Sequence, residues 1–453
     1  MIKIRIPQGA QSIIDTLKAA GYEAYIIGGC VRDSMLGLDP KDWDICTSAI
    51  PSQILYSFRD KRVIETGLKH GTVTVVMDDG QYEVTTFRID GDYSDSRHPD
   101  SVKFVSNIED DLARRDFTIN AMAYNDDGLV DPFNGRKDLV CGLISCVGNP
   151  DDRFGEDALR ILRAMRFAAI YGFDIEDVTA KSIHQNKEKL LNIAAERIQS
   201  ELCKMLAGEG ILEVLLDYGD VMATIIPELK PCIGFDQNNR FHEFTIYDHI
   251  AHAVSNCDTT DPVVNMSLLL HDIGKPRCYT EDHNGGHFYG HGVHSHDLAK
   301  EVLTRLRFDN KSRDDILELV LYHDAVIEPS PKTVRRWLNK IGKKQFMRLV
   351  DIRMADILAQ KKDTQESRID RCIAIAMMAS DIIEENQCFK LEDLVVDGHD
   401  VMNLCDVKEG KDVGRILNEV LDAVISGELE NERTAIVKYL IMKGWSVSYE
   451  QKS

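Results

Sequence analysis

A change of period restricts the fold more than any other feature of the sequence. Up to about residue 150 the chain carries short β-branched and aromatic runs, Tyr25 to Ile27, Asp44 to Cys46, Gly71 to Met77 and Tyr82 to Phe87, separated by helical stretches. Such runs read as strands, and Asp78-Asp79-Gly80 between the last two reads as a hairpin turn. From Arg153 onward the apolar spacing becomes helical, as in Ala158, Ile161, Leu162, Met165 and Ala169. An α+β head followed by an almost wholly helical remainder is therefore expected. Pro150-Asp151-Asp152 reads as a hinge, and Pro227 to Asn239 as a loop leading into a histidine-rich segment.

At 453 residues the chain exceeds one ordinary core and calls for two to four domains. The expected boundaries are 1–150 for the head, 151–230 for a helical neck, 240–360 for the histidine-rich body and 361–453 for a helical tail. No apolar run reaches the roughly eighteen residues of a membrane span, and Met1-Ile2-Lys3-Ile4-Arg5 has no leader pattern, so a cytoplasmic protein without a membrane partner is expected. The 11 cysteines include no C-x-x-C pair, which fits reduced, packed thiols rather than a disulfide frame or a zinc cluster. A net charge of −21 argues against sequence-blind adhesion to nucleic acid, because phosphate binding needs clustered cations. One local basic track remains, Lys332, Arg335, Arg336, Lys340, Lys343, Lys344, Arg348 and Arg353, interleaved with apolar residues at helical spacing. It reads either as an RNA-binding surface or as a solvated helix face.

Within the head, Ile27-Gly28-Gly29-Cys30-Val31-Arg32-Asp33 follows a strand and opens a helix. Two glycines allow close backbone approach, and a helix N-terminus with Arg32 offers positive potential, which suits a triphosphate. Next come Asp42 and Asp44, two residues apart on a strand and so on one face. Paired carboxylates repel unless a cation lies between them, and magnesium prefers such hard oxygens. Two such ions would activate an attacking hydroxyl and hold a triphosphate with its pyrophosphate leaving group. Glu83 is a candidate third carboxylate that reads equally as an exposed strand residue.

In the neck, Asp157, Arg160 and Arg163 recur three residues apart with Arg166 one turn on. This spacing fits an amphipathic helix with internal ion pairs, and it also fits base recognition. Cytosine and adenine present an amino donor beside a ring-nitrogen acceptor, whereas uracil and guanine present a carbonyl beside a ring N–H. A carboxylate acceptor next to a guanidinium donor matches the first pair. A wrong base leaves buried polar groups unpaired at about 1–3 kcal/mol each.

Gly28-Gly29-x-Val31-Arg32-Asp33, Asp42/Asp44, Glu83 to Arg88 and Arg114-Arg115-Asp116-Phe117-Thr118-Ile119-Asn120-Ala121 resemble the successive motifs of the class II tRNA nucleotidyltransferase and bacterial poly(A) polymerase family. The resemblance implies a DNA polymerase beta-like nucleotidyltransferase head in which Asp42 and Asp44 carry the catalytic Mg2+. It implies nucleotide contacts from Gly29, Arg32 and Arg115, with Asp116 and Asn120 near the sugar. In that family E-D-x-x-R-x-x-R reads the base, so Asp157 and Arg160 become the readers, supported by Arg163 and Arg166, while Glu196-Arg197-x-x-x-Glu201 braces the neck. The implied activity is addition of C, C and A to tRNA from CTP and ATP. The length of the segment Asp90 to Phe104, with Arg97, His98 and Pro99, looks like that of full CCA enzymes. An A-adding specialist and a poly(A) polymerase are the alternatives, the latter disfavoured by the acidic balance and the lack of a long basic extension.

Beyond the neck, His249, Leu268-Leu269-Leu270-His271-Asp272 and Asp356 resemble the ligand series of the HD phosphohydrolase superfamily. The resemblance implies an HD-like helical body with a divalent transition metal, and leaves open a phosphohydrolase that uses the head only to bind RNA. His291 and His323 read as core or surface histidines that would otherwise extend the site to two metals, and His283, His287, His294 and His296 as loop decoration. The segment Val396 to Ile436 resembles the tail of the same tRNA enzymes; with the basic track it is the expected seat of tRNA.

Overall fold

The structure is a computed structural model that describes residues 3–91, 102–283, 285–384 and 390–445. The expectation for Arg97, His98 and Pro99 lies outside the described residues. The chain forms two compact units, one of residues 1–230 with 302–308 and the other of 231–301 with 309–453.

In the first unit the strands are β1 (Ala24–Ile27), β2 (Ile45–Thr47), β3 (Arg62–Ile64), β4 (Thr72–Met77), β5 (Gly80–Thr86), β6 (Arg88–Asp90), β7 (Val102–Phe104), β8 (Ala123–Asn125) and β9 (Gly128–Val130). Seven of them make a sheet in the order β3-β4-β5-β2-β1-β8-β9, and β6 pairs with β7 separately. Only β2 and β5 run parallel within that sheet; its other pairs are antiparallel. The β4–β5 hairpin closes with Met77 opposite Gly80, as the Asp78-Asp79-Gly80 turn predicts. Along β5, Tyr82, Val84 and Thr86 are buried while Glu83 is exposed, the alternation of a half-buried strand. Helix Gln8–Ala19 buries Ile13, Ile14 and Leu17 beside the sheet.

The hinge expected at 150–152 is instead the first turn of helix Pro150–Glu156. Asn149 caps it by accepting from Asp151 N–H at 3.2 Å, and Pro150 sits where a helix needs no N–H donor. Helix Leu159–Tyr171 buries Ile161, Leu162, Met165 and Ala169 and packs against Ala195–Met205.

The second unit is helical. Pro262–Leu270 is buried on all sides, as its unbroken apolar run requires, and packs among Ile246–Ser255, Asn310–Tyr322 and Lys343–Leu358. Nearer the C-terminus, Gly398–Cys405, Lys411–Ile425 and Arg433–Met442 enclose Val401, Ile416, Val420, Ile436 and Leu440. Among the described residues no helix is long and apolar enough to cross a membrane, and the cysteines carry free thiols.

Candidate active site and a second side-chain cluster

β1 runs into a turn at Gly28, which has φ 74°. A side chain there would be strained by the backbone conformation, which is what favours glycine; its Cβ would also stand 2.7 Å from Arg115 Nη1, the movable end of a long side chain. Helix Gly29–Met35 follows directly. Asp42 and Asp44 lie in the extended lead-in to β2 rather than in the strand itself. Ile27 N–H donates to Asp44 C=O at 3.0 Å, so the ladder continues to Asp44, and Asp42 is near enough to act on the Asp44 carboxyl electrostatically. Ile45 pairs with Val84 across the parallel β2–β5 ladder, which brings Glu83 level with Asp44. Desolvation, then the negative charges of Glu83 and Asp42, raise the Asp44 carboxyl above the usual range, with Arg115 opposing. Like charges held together in this way favour a bound cation.

Asp116 and Asn120 join this face to the neck. Arg163 grips Asp116 Oδ2 with Nε at 2.9 Å and Nη2 at 2.6 Å, while Asn120 Nδ2 donates to Oδ1 at 3.1 Å. Burial opposes the Asp116 charge, yet Arg163 and Asn120 outweigh it and hold the carboxyl well below its ordinary range. Arg32, expected at the triphosphate, is buried in the same joint. It donates to Asp33 Oδ1 at 2.8 Å and Asn120 Oδ1 at 2.5 Å, with its guanidinium 5.1 Å from the ring centres of Phe167 and Tyr171.

Asp157 departs from the single helical face expected of it. It lies in the break between Pro150–Glu156 and Leu159–Tyr171 with φ −144°, and accepts from Leu159 N–H at 3.0 Å. Arg197 Nη2 holds the other carboxylate oxygen at 2.7 Å, so the Asp157 carboxylate is oriented from the helix Ala195–Met205. Arg160 is fixed by Glu156 at 2.6 Å and by the carbonyls of Arg153 and Arg114, both at 3.3 Å. Arg166 pairs with Glu201 at 2.7 Å and stacks 4.2 Å over Phe167. The neck thus supplies one oriented acceptor and one oriented donor at its junction with the head.

In the second unit, the four residues predicted as metal ligands come together. His249 and His271 are fully buried, and their Nε2 atoms lie 3.3 and 3.2 Å from Asp272 Oδ2. Asp356 Oδ1 is 3.0 Å from His249 Nε2. His291 and His323, read from sequence as core or surface residues, belong to the same cluster, with Nε2 atoms 3.4 and 3.7 Å from Asp272 Oδ1. In all four rings Nδ1 faces a backbone carbonyl: Ala359 at 3.2 Å, Leu268 at 2.6 Å, Phe288 at 2.9 Å and Val320 at 2.7 Å. That contact directs every Nε2 into the cluster, the arrangement by which proteins orient metal-ligating histidines. Two triads, His249/His271/Asp272 and Asp272/His291/His323, each have ligand atoms within 4.8 Å of one another. Asp42, Asp44 and Glu83 do not form so tight a group.

The basic track is only partly available. Lys332, Arg336, Lys340, Lys343 and Lys344 are exposed and Arg335 is half-buried. Arg348 is instead buried against Asp261 at 2.8 Å and Asp315 at 3.1 Å, and Arg353 donates to the carbonyls of His323 and Ala325.

Residues 24–145 match the Poly A polymerase head domain family, 172–233 the family described as "Probable RNA and SrmB- binding site of polymerase A", and 291–440 tRNA nucleotidyltransferase domain 2. The CCA-adding enzyme of Lactobacillus helveticus is 32% identical over 432 residues, spanning 95% of this chain and 96% of that protein. The chain belongs to the CCA-adding enzyme family. It is a nucleotidyltransferase, and enzymes of this family use divalent metals. The Limosilactobacillus fermentum CCA-adding enzyme is 49% identical over 212 residues, 46% of this chain and 52% of that protein. The Bacillus stearothermophilus CCA-adding enzyme, solved in complex with CTP, superposes with a TM-score of 0.73 at 28% identity, covering 96% of this chain and 97% of that one. The Thermotoga maritima CCA-adding enzyme, complexed with tRNA, shares the fold at 19% identity with a TM-score of 0.62, over 98% of this chain and all 100% of that one.

Proposed function

We propose that the chain adds C, C and A to the 3′ end of tRNA, taking CTP and ATP and using protein side chains in place of a template. The observation that carries this reading is the paired orientation of Asp157 by Arg197 and of Arg160 by Glu156 at the junction of neck and head. Asp157 accepts from the exocyclic amino group of cytosine or adenine, and Arg160 donates to the adjacent ring nitrogen. Gly28, whose own N–H donates to Met122 C=O, turns the chain so that Gly29 can bring its backbone N–H to the triphosphate, and Arg115 adds positive charge beside Gly28. Arg163 and Arg166 support the nucleotide from the neck helix. The hard oxygens of Asp42, Asp44 and Glu83 fit Mg2+, which when bound activates the 3′ hydroxyl and stabilises departing pyrophosphate. The 3′ oxygen bonds to the α-phosphorus as the bond to the β-phosphate breaks. A cytoplasmic setting and the domain boundaries 1–150, 151–230, 240–360 and 361–453 belong to the same reading.

Product sizing tests it. With tRNA lacking CCA, or ending in C or CC, CTP and ATP together are expected to restore one complete CCA end from each. Long A tails, or no incorporation of C, would defeat the proposal in favour of a poly(A) polymerase or an A-adding specialist. In the same assay Asp157→Ala is expected to admit UTP and GTP, with discrimination against them falling by about ten- to a hundredfold.

In this reading the tRNA body runs along Lys332, Arg335, Arg336, Lys340, Lys343 and Lys344 and the C-terminal helices, held by phosphate and shape contacts. Lys343→Glu with Lys344→Glu is expected to weaken low-salt tRNA binding by about tenfold and to flatten its salt dependence. Unchanged binding would put the track elsewhere.

The inward-facing imidazoles favour a second centre in the body. His249, His271, Asp272 and Asp356 form a nitrogen and oxygen ligand set suited to a divalent transition metal, and such a centre supports phosphohydrolysis.

A further inference from the structure

We infer that a cleft in the neck, walled by helices Asp177–Asn186 and Ile211–Asp217, binds an aliphatic polyamine, a chain of ammonium groups joined by methylenes. The cleft lies within the first unit and has a volume of about 840 Å³, inside the range of small-molecule sites. At one edge β10 (Leu143–Ile144) and β11 (Asp174–Ile175) pair in parallel, with Leu143 opposite Asp174. Asp174, Glu176, Asp177, Glu213 and Asp217 line the cleft, and among the described residues its lining contains neither lysine nor arginine. None of these five carboxylates forms an ion pair with a described residue. Asp220, just outside, is by contrast matched by Lys187 at 2.5 Å and by His184 at 2.9 Å.

The charge is locally unfavourable. Glu213 and Asp217 stand one turn apart on Ile211–Asp217, where like charges repel, and Asp217 ends that helix, where the backbone dipole is already negative. A separate observation comes from Tyr218, which also lines the cleft. It is 6% exposed and its ring stacks on His184 at 5.1 Å, yet its hydroxyl makes no hydrogen bond to a described residue. Burial, then Asp217, Asp174 and Asp220, push that hydroxyl's pKa up to about 12, so it stays protonated among the acids that surround it. A buried hydroxyl facing a cleft of unmatched carboxylates lacks a partner that a ligand N–H would supply.

Spacing selects the kind of cation. Among the described residues no three of the cleft's acids bring ligand oxygens within 4.8 Å of one another, the closeness that a single metal ion would demand. Phe173, Ile175, Val178 and Val214 lie on the same lining and suit the methylenes of an aliphatic chain. Anions spread over an apolar floor therefore match several ammonium groups on one flexible chain. Each ammonium donates to a carboxylate, and Tyr218 Oη accepts from one of them. Glu176 is already oriented for this, since its Oε2 accepts from Thr179 Oγ1 at 2.8 Å.

The test uses the full chain without tRNA, with spermidine as the probe in equilibrium dialysis and Mg2+ in about tenfold excess to swamp loosely held counter-ions. One spermidine per chain is expected to remain bound, and putrescine, with one charge fewer, to bind about tenfold more weakly. Asp174→Asn with Asp217→Asn should weaken spermidine by about tenfold, and Tyr218→Phe, which keeps the ring stack, by about threefold. Glu392→Gln with Glu409→Gln, which removes two exposed acids of the second unit, should leave binding unchanged. If the aspartate variant melts early, Asp177→Asn with Glu213→Gln repeats the measurement. Spermidine that is lost in excess Mg2+, or that binds both cleft variants as it binds the wild type, overturns the site and leaves an acidic surface with its counter-ions. Capture of an arginine-rich peptide without any retention of spermidine overturns the ligand class in favour of a basic protein partner.

Discussion

Asp44→Asn is expected to slow addition of both C and A by about a thousandfold or more, since Lewis-acid stabilisation of the reacting phosphate contributes several kcal/mol and about 4 kcal/mol corresponds to that factor. Stability should move the other way. The Asp44 carboxyl is raised above its ordinary range by desolvation and by Glu83 and Asp42. For an acid whose folded-state pKa is raised, ionisation above that pKa weakens the fold, so the neutral amide removes a penalty present at neutral pH. With chelator present the variant should melt at or above the wild-type temperature, and tRNA binding should persist. Addition within tenfold of wild type would remove Asp44 from the catalytic centre.

Asp116→Ala is expected to cost about 3 kcal/mol, the lower end for a broken buried pair, because the Arg163 side chain keeps 32% exposure. For a unit of this size that corresponds to a fall of about 6–12 °C in Tm. The pH dependence has a definite sign. Asp116 is held below its ordinary pKa, so its contribution is present in full above about pH 4 and fades as pH falls through the lower folded value. The gap between wild type and variant should therefore narrow in acid. Removing the partner as well, with Arg163→Met, should cost less than the sum of the single changes, because no unpaired charge then remains. Strict additivity would show that the pair is not coupled.

What the sequence disclosed follows the range of the physics involved. Strands long enough to show alternation, such as β4 and β5, were legible with their hairpin, whereas β3, β8 and β9 have three residues each and too few positions for a period. Asp42 and Asp44 were legible as a pair because their relation is local, although they precede β2 rather than occupy it. Asp157 misled because the helical spacing runs on through Glu156 to Arg166; its carboxylate serves as a cap on the next helix, a role aspartate performs at helix starts and poorly inside them. Arg32 and Asp116 were assigned to the nucleotide, and their place in the head–neck joint depends on Phe167, Tyr171 and Arg163, far away in sequence. His291 and His323 were read first as core or surface residues, and only otherwise as an extension of the site, because spacing carries no distance. A signal was nonetheless present: His271, His291 and His323 each stand at a helix boundary, with Nδ1 facing the carbonyl three residues earlier.

The Asp116–Arg163 pair also bears on how such a chain can be cut and recombined. A head ending near residue 150 would keep a buried anion whose countercharge is encoded in the following segment, and would lose the aromatic rings that cover Arg32. The head and the helix Leu159–Tyr171 therefore form one physical unit. An exchange between relatives that respects the visible change from strand to helix would cut through this buried ion pair, whereas one made after the neck would carry the joint across whole.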